Sequence, residues 1–376
     1  MRVIRFAFVG LLSSIAMGCG GTTAGRGSGG ARRDHHDVAS ATDEGTEGAG
    51  PTAGPDEDGT AAIGSGPPGA TAEQRCSYPS CWDGDRSRNH RPQRVPDIDD
   101  AAALAAGGTL ACVVHESGSV SCWGATKDWQ SSTPRPVTGL GRVQDLAIGG
   151  QLCARSEDGV SCAETPDAAF RRVIAGSTSM IDAGSFQVCT LRRGRLICSP
   201  FDASAETDLY ATGATAIALT GDQLCAITRS GAVECAGLAT SGEVFPPPYL
   251  SREPVRDVAG ARELFLGSNV GCARGDEGEV WCWRPGHRNG GYLWSPPEPA
   301  GLPPVVTGDG DAHLCAATVD RRVWCWGAYP ELAPADVGVN DAVEAAVGVN
   351  FACARHGDGT VSCWGENDRG QLGRES

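Results

Sequence analysis

Val347-Gly348-Val349-Asn350-Phe351-Ala352-Cys353-Ala354-Arg355-His356-Gly357-Asp358-Gly359-Thr360-Val361-Ser362-Cys363-Trp364-Gly365 is the stretch whose reading decides the fold. Two short runs of small and aliphatic residues, each carrying a cysteine, flank Gly357-Asp358-Gly359. A three-residue hairpin loop needs a left-handed backbone at its third position, which Gly adopts without a Cβ clash. Two strands joined by such a loop place Cys353 opposite Cys363, where a disulfide can close.

The unit recurs. Cysteine pairs stand at Cys112/Cys122, Cys153/Cys162, Cys189/Cys198, Cys225/Cys235, Cys272/Cys282, Cys315/Cys325 and Cys353/Cys363, and successive first cysteines are 36 to 47 residues apart. A period of that size points to propeller blades or another array rather than one continuous core. Glu116-Ser117-Gly118, Arg229-Ser230-Gly231 and Asp276-Glu277-Gly278 repeat the Gly-third turn. Val319-Asp320-Arg321, between Cys315 and Cys325, breaks the rule, so a turn of another type is expected there.

Between a second cysteine and the next first cysteine the chain runs through a proline-rich stretch and then an aliphatic strand. Pro134-Arg135-Pro136-Val137 before Val143-Gln144-Asp145-Leu146-Ala147 is one example, and Pro254-Val255-Arg256-Asp257-Val258-Ala259 another. Each repeat therefore supplies about four short strands, and a four-stranded sheet repeated radially is a propeller blade. Trp follows the second cysteine at Trp123, Trp283, Trp326 and Trp364, and follows Cys81 at Trp82. A large aromatic at one recurrent place reads as inter-blade packing. The fold class is thus all-β, a seven-bladed propeller with one disulfide inside each blade, and Cys76/Cys81 forms a shortened eighth pair.

The chain has 376 residues, 17 cysteines and a net charge of -15. Paired cysteines at regular intervals fit an oxidising compartment. An acidic balance disfavours nucleic acid, which requires clustered Lys and Arg; Arg192-Arg193 and Arg321-Arg322 read as solvated turn residues.

At the N-terminus, Arg2 and Arg5 precede an apolar run from Phe6 to Met17, too short to span a bilayer as a helix of about 20 residues. Ile15-Ala16-Met17-Gly18-Cys19 resembles the bacterial lipobox, in which the cysteine becomes the lipidated first residue. The resemblance implies a signal peptide over 1–18 and a lipid anchor at Cys19, and removing Cys19 leaves an even sixteen cysteines. Residues 19–74 carry too few aliphatics to offset the entropy of ordering and are expected to form a disordered tether. His35-His36-Asp37 has no scaffold to converge on a metal. The propeller occupies 75–376, and no metal or cofactor is expected.

Cys363-Trp364-Gly365-Glu366-Asn367-Asp368-Arg369-Gly370-Gln371-Leu372-Gly373 is similar to the signature of the regulator of chromosome condensation repeat family. The middle copies, Cys162-Ala163, Cys198-Ser199 and Cys235-Ala236, have lost its Trp and Gly, and His313 alone retains the family's His before an alanine-containing strand. The resemblance implies a seven-bladed propeller. Its eukaryotic namesake exchanges nucleotide on a small GTPase, whereas an exported bacterial relative covers a β-lactamase with loops of one propeller face, a precedent for protein binding.

No converging set of nucleophile, base and orienter is evident, and the cysteines lack zinc-site spacing. His115 and His356 read as hairpin-turn residues. Asp309 and Asp311 invite a glycosidase reading, though Gly308-Asp309-Gly310-Asp311 reads more simply as a polar turn. A binding module has positive support. Two insertions follow the second cysteine of consecutive repeats, one carrying Phe245 and Tyr249, the other Tyr292 and Trp294, both stiffened by prolines. Equivalent positions put them on one rim. The expected function is a non-enzymatic lipoprotein of the bacterial cell envelope, at the outer membrane, binding an envelope or extracellular protein through these aromatics. Alternatives are a structural envelope protein without a discrete ligand, or a carbohydrate-active enzyme or lectin.

Overall fold

The computed structural model describes residues 91–375, apart from 204–205, 211–212, 222, 238–252, 256, 269, 289–290 and 328–332. Its described residues form seven four-stranded antiparallel sheets and one extra hairpin, with no helix. Blade 1 contains Ala101–Gly107, Leu110–His115, Val120–Ala125 and Gln130–Val137, from the inner strand outward. Blades 2 to 6 follow over residues 145–175, 181–210, 214–254, 263–299 and 305–336. Blade 7 takes Ala342–Gly348, Phe351–His356 and Val361–Gly365 from the C-terminal end, and its outer strand is Gln93–Arg94. Inner strands lie beside one another around the ring, blade 7 meeting blade 1.

Strand alternation explains why these strands read as nearly continuous apolar runs. Successive side chains point to opposite sheet faces, and every face is covered by a neighbouring blade. In blade 1, Leu110, Cys112 and Val114 enter the core shared with blade 2, while Ala111 and Val113 enter the core shared with blade 7. Among the described residues the apolar side chains form seven cores, each between successive blades, in place of one central core.

The recurrent Cys-Trp pair follows from the same geometry. The bonds are Cys112–Cys122, Cys153–Cys162, Cys189–Cys198, Cys225–Cys235, Cys272–Cys282, Cys315–Cys325 and Cys353–Cys363, each across the second and third strands with Cα atoms 4.1 Å apart. That separation is close to the short spacing of a non-hydrogen-bonded antiparallel pair. The bonded cysteines face the next blade, as Cys112 and Cys122 face blade 2, and as Cys315 and Cys325 face blade 7. The adjacent Trp faces the preceding blade: Trp123 packs on blade 7, Trp283 on blade 4, Trp326 on blade 5 and Trp364 on blade 6. The expected inter-blade role of these tryptophans is what the fold shows. Cys19, Cys76, Cys81 and Trp82 lie outside the described residues.

Prolines mark outer strands, as Pro136 opposite Ser121, Pro254 opposite Glu234 and Pro299 opposite Trp281. Pro lacks an N–H, so it is tolerated at a sheet edge and blunts pairing with another chain.

A hydrogen bond links most hairpin turns to the next blade. The carbonyls of Gly118, Gly231 and Gly278 accept from the amides of Val143, Ala261 and Val305, and that of Gly359 accepts from Ala101 across the ring junction. The third turn residues Gly118, Gly231, Gly278 and Gly359 all have φ between 78° and 85°.

The hairpin that carries Cys315 and Cys325 corrects the expectation of another turn type. Arg321 itself takes φ 62°, its N–H bonds the Thr318 carbonyl at 2.8 Å, and its carbonyl accepts from Ala342 at 3.0 Å. The turn is of the same type as the others, with an L-residue held in the left-handed region, where its guanidinium meets Asp341. Cys325 therefore keeps the common register: on the third strand Val323–Gly327 it lies opposite Cys315 on one side and Ala335 on the other. The Arg321–Asp341 ion pair is exposed and contributes little. Arg321→Gly is therefore expected to stabilise the protein by about 1 kcal/mol, relieving the Cβ clash. A raised denaturant midpoint would show this; a lowered one would mean the ion pair outweighs the strain.

The ring closes where the first described strand meets the last blade. Gln93 pairs with Cys363 and Arg94 with Ser362, while Arg94 Nη2 bonds Asp358 Oδ2 at 2.8 Å and Thr360 Oγ1 at 2.9 Å. Beyond Gly365 the tail folds over blade 1. Leu372 is fully buried in the closure core, and Trp123 Nε1 donates to the Gln371 carbonyl at 3.0 Å. Asn367 Oδ1 accepts from the Leu372 amide and its Nδ2 donates to the Arg374 carbonyl, so the Asn and the Gln-Leu-Gly of the repeat signature form a buried clasp.

Candidate functional site

An antiparallel meander sends its inner-to-second and third-to-outer connections to one rim of the ring and the remaining connections to the other. The two aromatic insertions both join a third strand to an outer strand. In blade 4 the insertion lies between Val233–Gly237 and Glu253–Pro254, and in blade 5 between Val280–Trp283 and Glu298–Pro299. Topology thus assigns them to the same rim of neighbouring blades. Phe245 and Tyr249 lie outside the described residues. Tyr292 and Trp294 belong to an additional hairpin, Pro285–Arg288 with Gly291–Trp294, which pairs His287 with Tyr292 and Pro285 with Trp294. Sequence patterning placed these residues in a loop and missed the hairpin.

Phe186 shares that rim. It sits in the inner-to-second turn of blade 3, next to blade 4, and is 49% exposed, a large aromatic on a turn that needs none. Its sequence signal is an aromatic directly after Gly184-Ser185, where the other blades carry small or polar residues.

At the inner end of this rim, carboxylates hold backbone amides. Asp309 is part of the inner strand Val305–Gly310, contrary to the polar turn expected, and Asp311 stands at the strand tip. Asp309 Oδ2 accepts from the Val347 amide of blade 7 at 2.9 Å, and Asp182 Oδ2 accepts from Leu219 of blade 4 at 2.7 Å. Both acids lie opposite a first cysteine, so they are equivalent positions that cap the next inner strand. Asp311 Oδ2 reaches the Gly108 amide of blade 1 at 2.9 Å, while its carbonyl accepts from Ser268 of blade 5. The two carboxylates thus hold amides of different blades.

Burial raises the Asp311 pKa, an effect the Gly108 N–H opposes, and burial lowers that of His313 to about 4. An imidazole neutral in the fold but free to protonate when unfolded makes the unfolded state bind more protons between pH 6.5 and 4. Stability contributed by His313 therefore falls as pH drops through that window. Asp311 acts in the opposite sense, since a carboxyl that keeps its proton longer in the fold favours folding as pH falls. From pH 7 to 5 the His313 contribution is a loss of about 2 kcal/mol. His313→Gln should lose correspondingly less over that interval in urea titrations at the two pH values. Equal losses would assign the acid sensitivity elsewhere.

His115 and His356 end second strands rather than occupying turns. His115 Nε2 is 2.8 Å from Ser121 Oγ and its Nδ1 is 2.5 Å from Asp100 Oδ1, the order of a serine-hydrolase triad. Blade 7 repeats the Ser362–His356 bond at 2.8 Å, but there Nδ1 meets the Asn340 carbonyl. A recurrence that drops the carboxylate, with both serines buried on third strands, marks a brace between strands.

Sequence reading also missed a family of half-hidden ion pairs. Asp145–Arg155, Glu263–Arg274 and Glu344–Arg355 each join inner and second strands at the same register in blades 2, 5 and 7. The signal was present as Cys-Ala-Arg, which occurs in those three repeats with an acid eight or nine residues before the Cys. Among the described residues no cluster of His, Cys, Asp or Glu could hold a metal, and no helix is long and apolar enough to cross a membrane.

These features define a disulfide-stapled seven-bladed propeller with elaborated loops on one rim. A model described as Regulator of chromosome condensation (RCC1) repeat matches residues 343–371, the last blade and its clasp. No curated protein matches the chain in sequence. Solved structures share the fold. Human WBSCR16 is 17% identical, with 77% of this chain and 94% of that one aligned at a TM-score of 0.55. Prp20p of Saccharomyces cerevisiae is 13% identical over 72% of this chain and 83% of its own, at 0.51. PorZ of Porphyromonas gingivalis, a bacterial surface component of the type-IX secretion system, is 12% identical over 72% of this chain and 37% of its own, also at 0.51.

Proposed function

We propose that the protein is a non-enzymatic binding module of the bacterial cell envelope, anchored by a lipid on Cys19 and engaging a protein partner with its aromatic rim. The observation that carries this reading is that blades 4 and 5 are expanded at the same third-to-outer connection, in adjacent positions of the ring. The neighbouring exposed Phe186 extends the surface. Aromatic anchors dominate interface energetics, and truncating a central one commonly costs about 2 kcal/mol or more. Seven disulfides support an oxidising compartment. Among proteins of this fold, Prp20p is described by its binding to Gsp1p and histones, a precedent for a propeller that binds proteins.

The test is affinity capture from envelope extracts with the wild-type chain, a Tyr249→Ala/Trp294→Ala variant and Phe186→Ala. Loss of a specific partner by the double variant supports the site. Retention of every partner by it removes the rim from consideration, and recovery of no partner shifts the reading to a structural envelope protein. Anchoring is checked separately: Cys19→Ala should lose acyl label and leave the membrane fraction.

A further inference from the structure

We propose that the Cys272–Cys282 bond of blade 5 is a site of thiol–disulfide exchange, open to a dithiol while the bonds of the other blades stay closed. Cys282 is only partly buried, whereas each of the other bonded cysteines is 4% exposed or less. The difference comes from what shares the core with the second cysteine of a blade. Cys122 shares its core with Trp129, 8% exposed, and Cys363 with the fully buried Leu372. Beside Cys282 stand Ala300 and Leu302, both themselves partly exposed. The preceding residue, Trp281, is 39% exposed, while Ser121, Ile197 and Ser362 in the same position of blades 1, 3 and 7 are buried. On its outer side Cys282 is opposite Glu298, an exposed residue of a two-residue strand.

The two sulfurs therefore take different roles. A thiolate attacks a disulfide in line with the bond it breaks, and the line beyond Cys282 leads to the open outer edge of the blade. Cys272, fully buried across the ladder, is the leaving group. The attacking thiolate bonds Cys282 Sγ, and the electron pair of the broken S–S bond goes to Cys272 Sγ, which takes up a proton. The second thiol of the dithiol, having lost its proton, then attacks the mixed disulfide and releases Cys282 as a thiolate, so the dithiol is oxidised and the blade gains two electrons. Strand register and the core around Phe265, Leu314 and Trp326 keep Cys272 opposite Cys282, so reoxidation restores the same bond. The strand bearing Cys282 leads directly into the additional hairpin, Pro285–Arg288 with Gly291–Trp294. Exchange thus releases the covalent hold on the strand from which that hairpin springs; a consequence for partner binding rests on the aromatic-rim reading, whereas the exchange itself does not.

Dithiothreitol applied to the folded full chain without denaturant tests the proposal, with free thiols alkylated over time and the labelled peptides mapped. Cys272 and Cys282 are expected to be labelled about tenfold or more ahead of the remaining pairs, which are reached only through local opening, with the far-ultraviolet circular dichroism unchanged. Earlier labelling of any other pair, labelling of all pairs together, or no labelling until the fold is lost would overturn the site. Single variants test the direction of attack. The thiol left in Cys272→Ser should react with an aromatic disulfide reagent faster than the thiol left in Cys282→Ser, and equal rates would overturn the assigned roles. None of these readouts uses a binding partner, so they succeed or fail apart from the aromatic rim.

Discussion

Reduced in dilute denaturant, the propeller is expected to lose its cooperative fold. Each disulfide closes a loop with its cysteines 9 or 10 residues apart. Constraining such a loop in the unfolded chain stabilises the native state by about 2 to 3 kcal/mol on the chain-entropy estimate. Seven loops in separate blades together contribute roughly 14 to 21 kcal/mol. Net stabilities of folded domains are about 5 to 15 kcal/mol, so the reduced chain falls below the folding threshold. Most of the bonded cysteines are fully buried, Cys282 alone among them being partly buried, which is why mild denaturant is needed to admit the reductant to all seven bonds. The check is far-ultraviolet circular dichroism and a urea titration of the oxidised and reduced protein under anaerobic conditions. A reduced chain that retained a cooperative transition near the oxidised midpoint would show that the inter-blade cores suffice.

Trp123→Ala should be the most damaging single substitution among the recurrent tryptophans. Trp123 is completely buried where the ring closes, among Val95, Ile98, Phe351, Val361 and Leu372. Large-to-small changes of buried Trp cost about 3 to 5 kcal/mol through lost transfer energy and the cavity left behind. Here the change also leaves the Gln371 carbonyl without its indole donor and undercuts Gly373, where an added Cβ would lie 3.0 Å from Trp123 Nε1. Because the same residues hold the junction of blade 7 with blade 1, the loss opens the ring rather than one blade. Trp281→Ala is the control: at 39% exposure it should change stability by about 0.5 kcal/mol or less. Matching losses for the two variants in urea unfolding would contradict a closure role for Trp123.

Several parts of the candidate sites were legible before any coordinates. The spacing of the insertions after Cys235 and Cys282 was enough to locate both between a third and an outer strand, because blade topology repeats faithfully. Phe186 was not, since one aromatic in a turn carries no periodic signal. The open disulfide of blade 5 was invisible for a different reason. Cys272 and Cys282 repeat the spacing of other pairs, and only the packing around the third strand leaves Cys282 partly exposed. Arg321 shows the limit of turn rules. Local sterics demanded Gly between Cys315 and Cys325, but the Thr318 and Ala342 backbone bonds hold an Arg there instead, and the staple forms in the same register as in the other blades.

By itself the sequence determined the repeat: seven cysteine pairs, Gly-third turns and strand-length apolar runs are local properties, set by hairpin sterics and the two-residue period of a strand. It also determined that each blade would be stapled, because opposite positions of a hairpin follow from loop length. Tertiary structure alone decided how the ring closes. Gln93–Arg94 has no pattern of its own and becomes a strand only because the Val361–Gly365 edge is unpaired without it. The same holds for the clasp at Asn367, Gln371 and Leu372, whose burial exists only once blade 1 is beside blade 7, and for Asp182, Asp309 and Asp311, whose partners are amides of other blades. The Asp182 bond between blades joins residues 37 positions apart and the Arg94 bond across the ring closure joins residues 266 apart, and no local rule encodes which amide a carboxylate will meet.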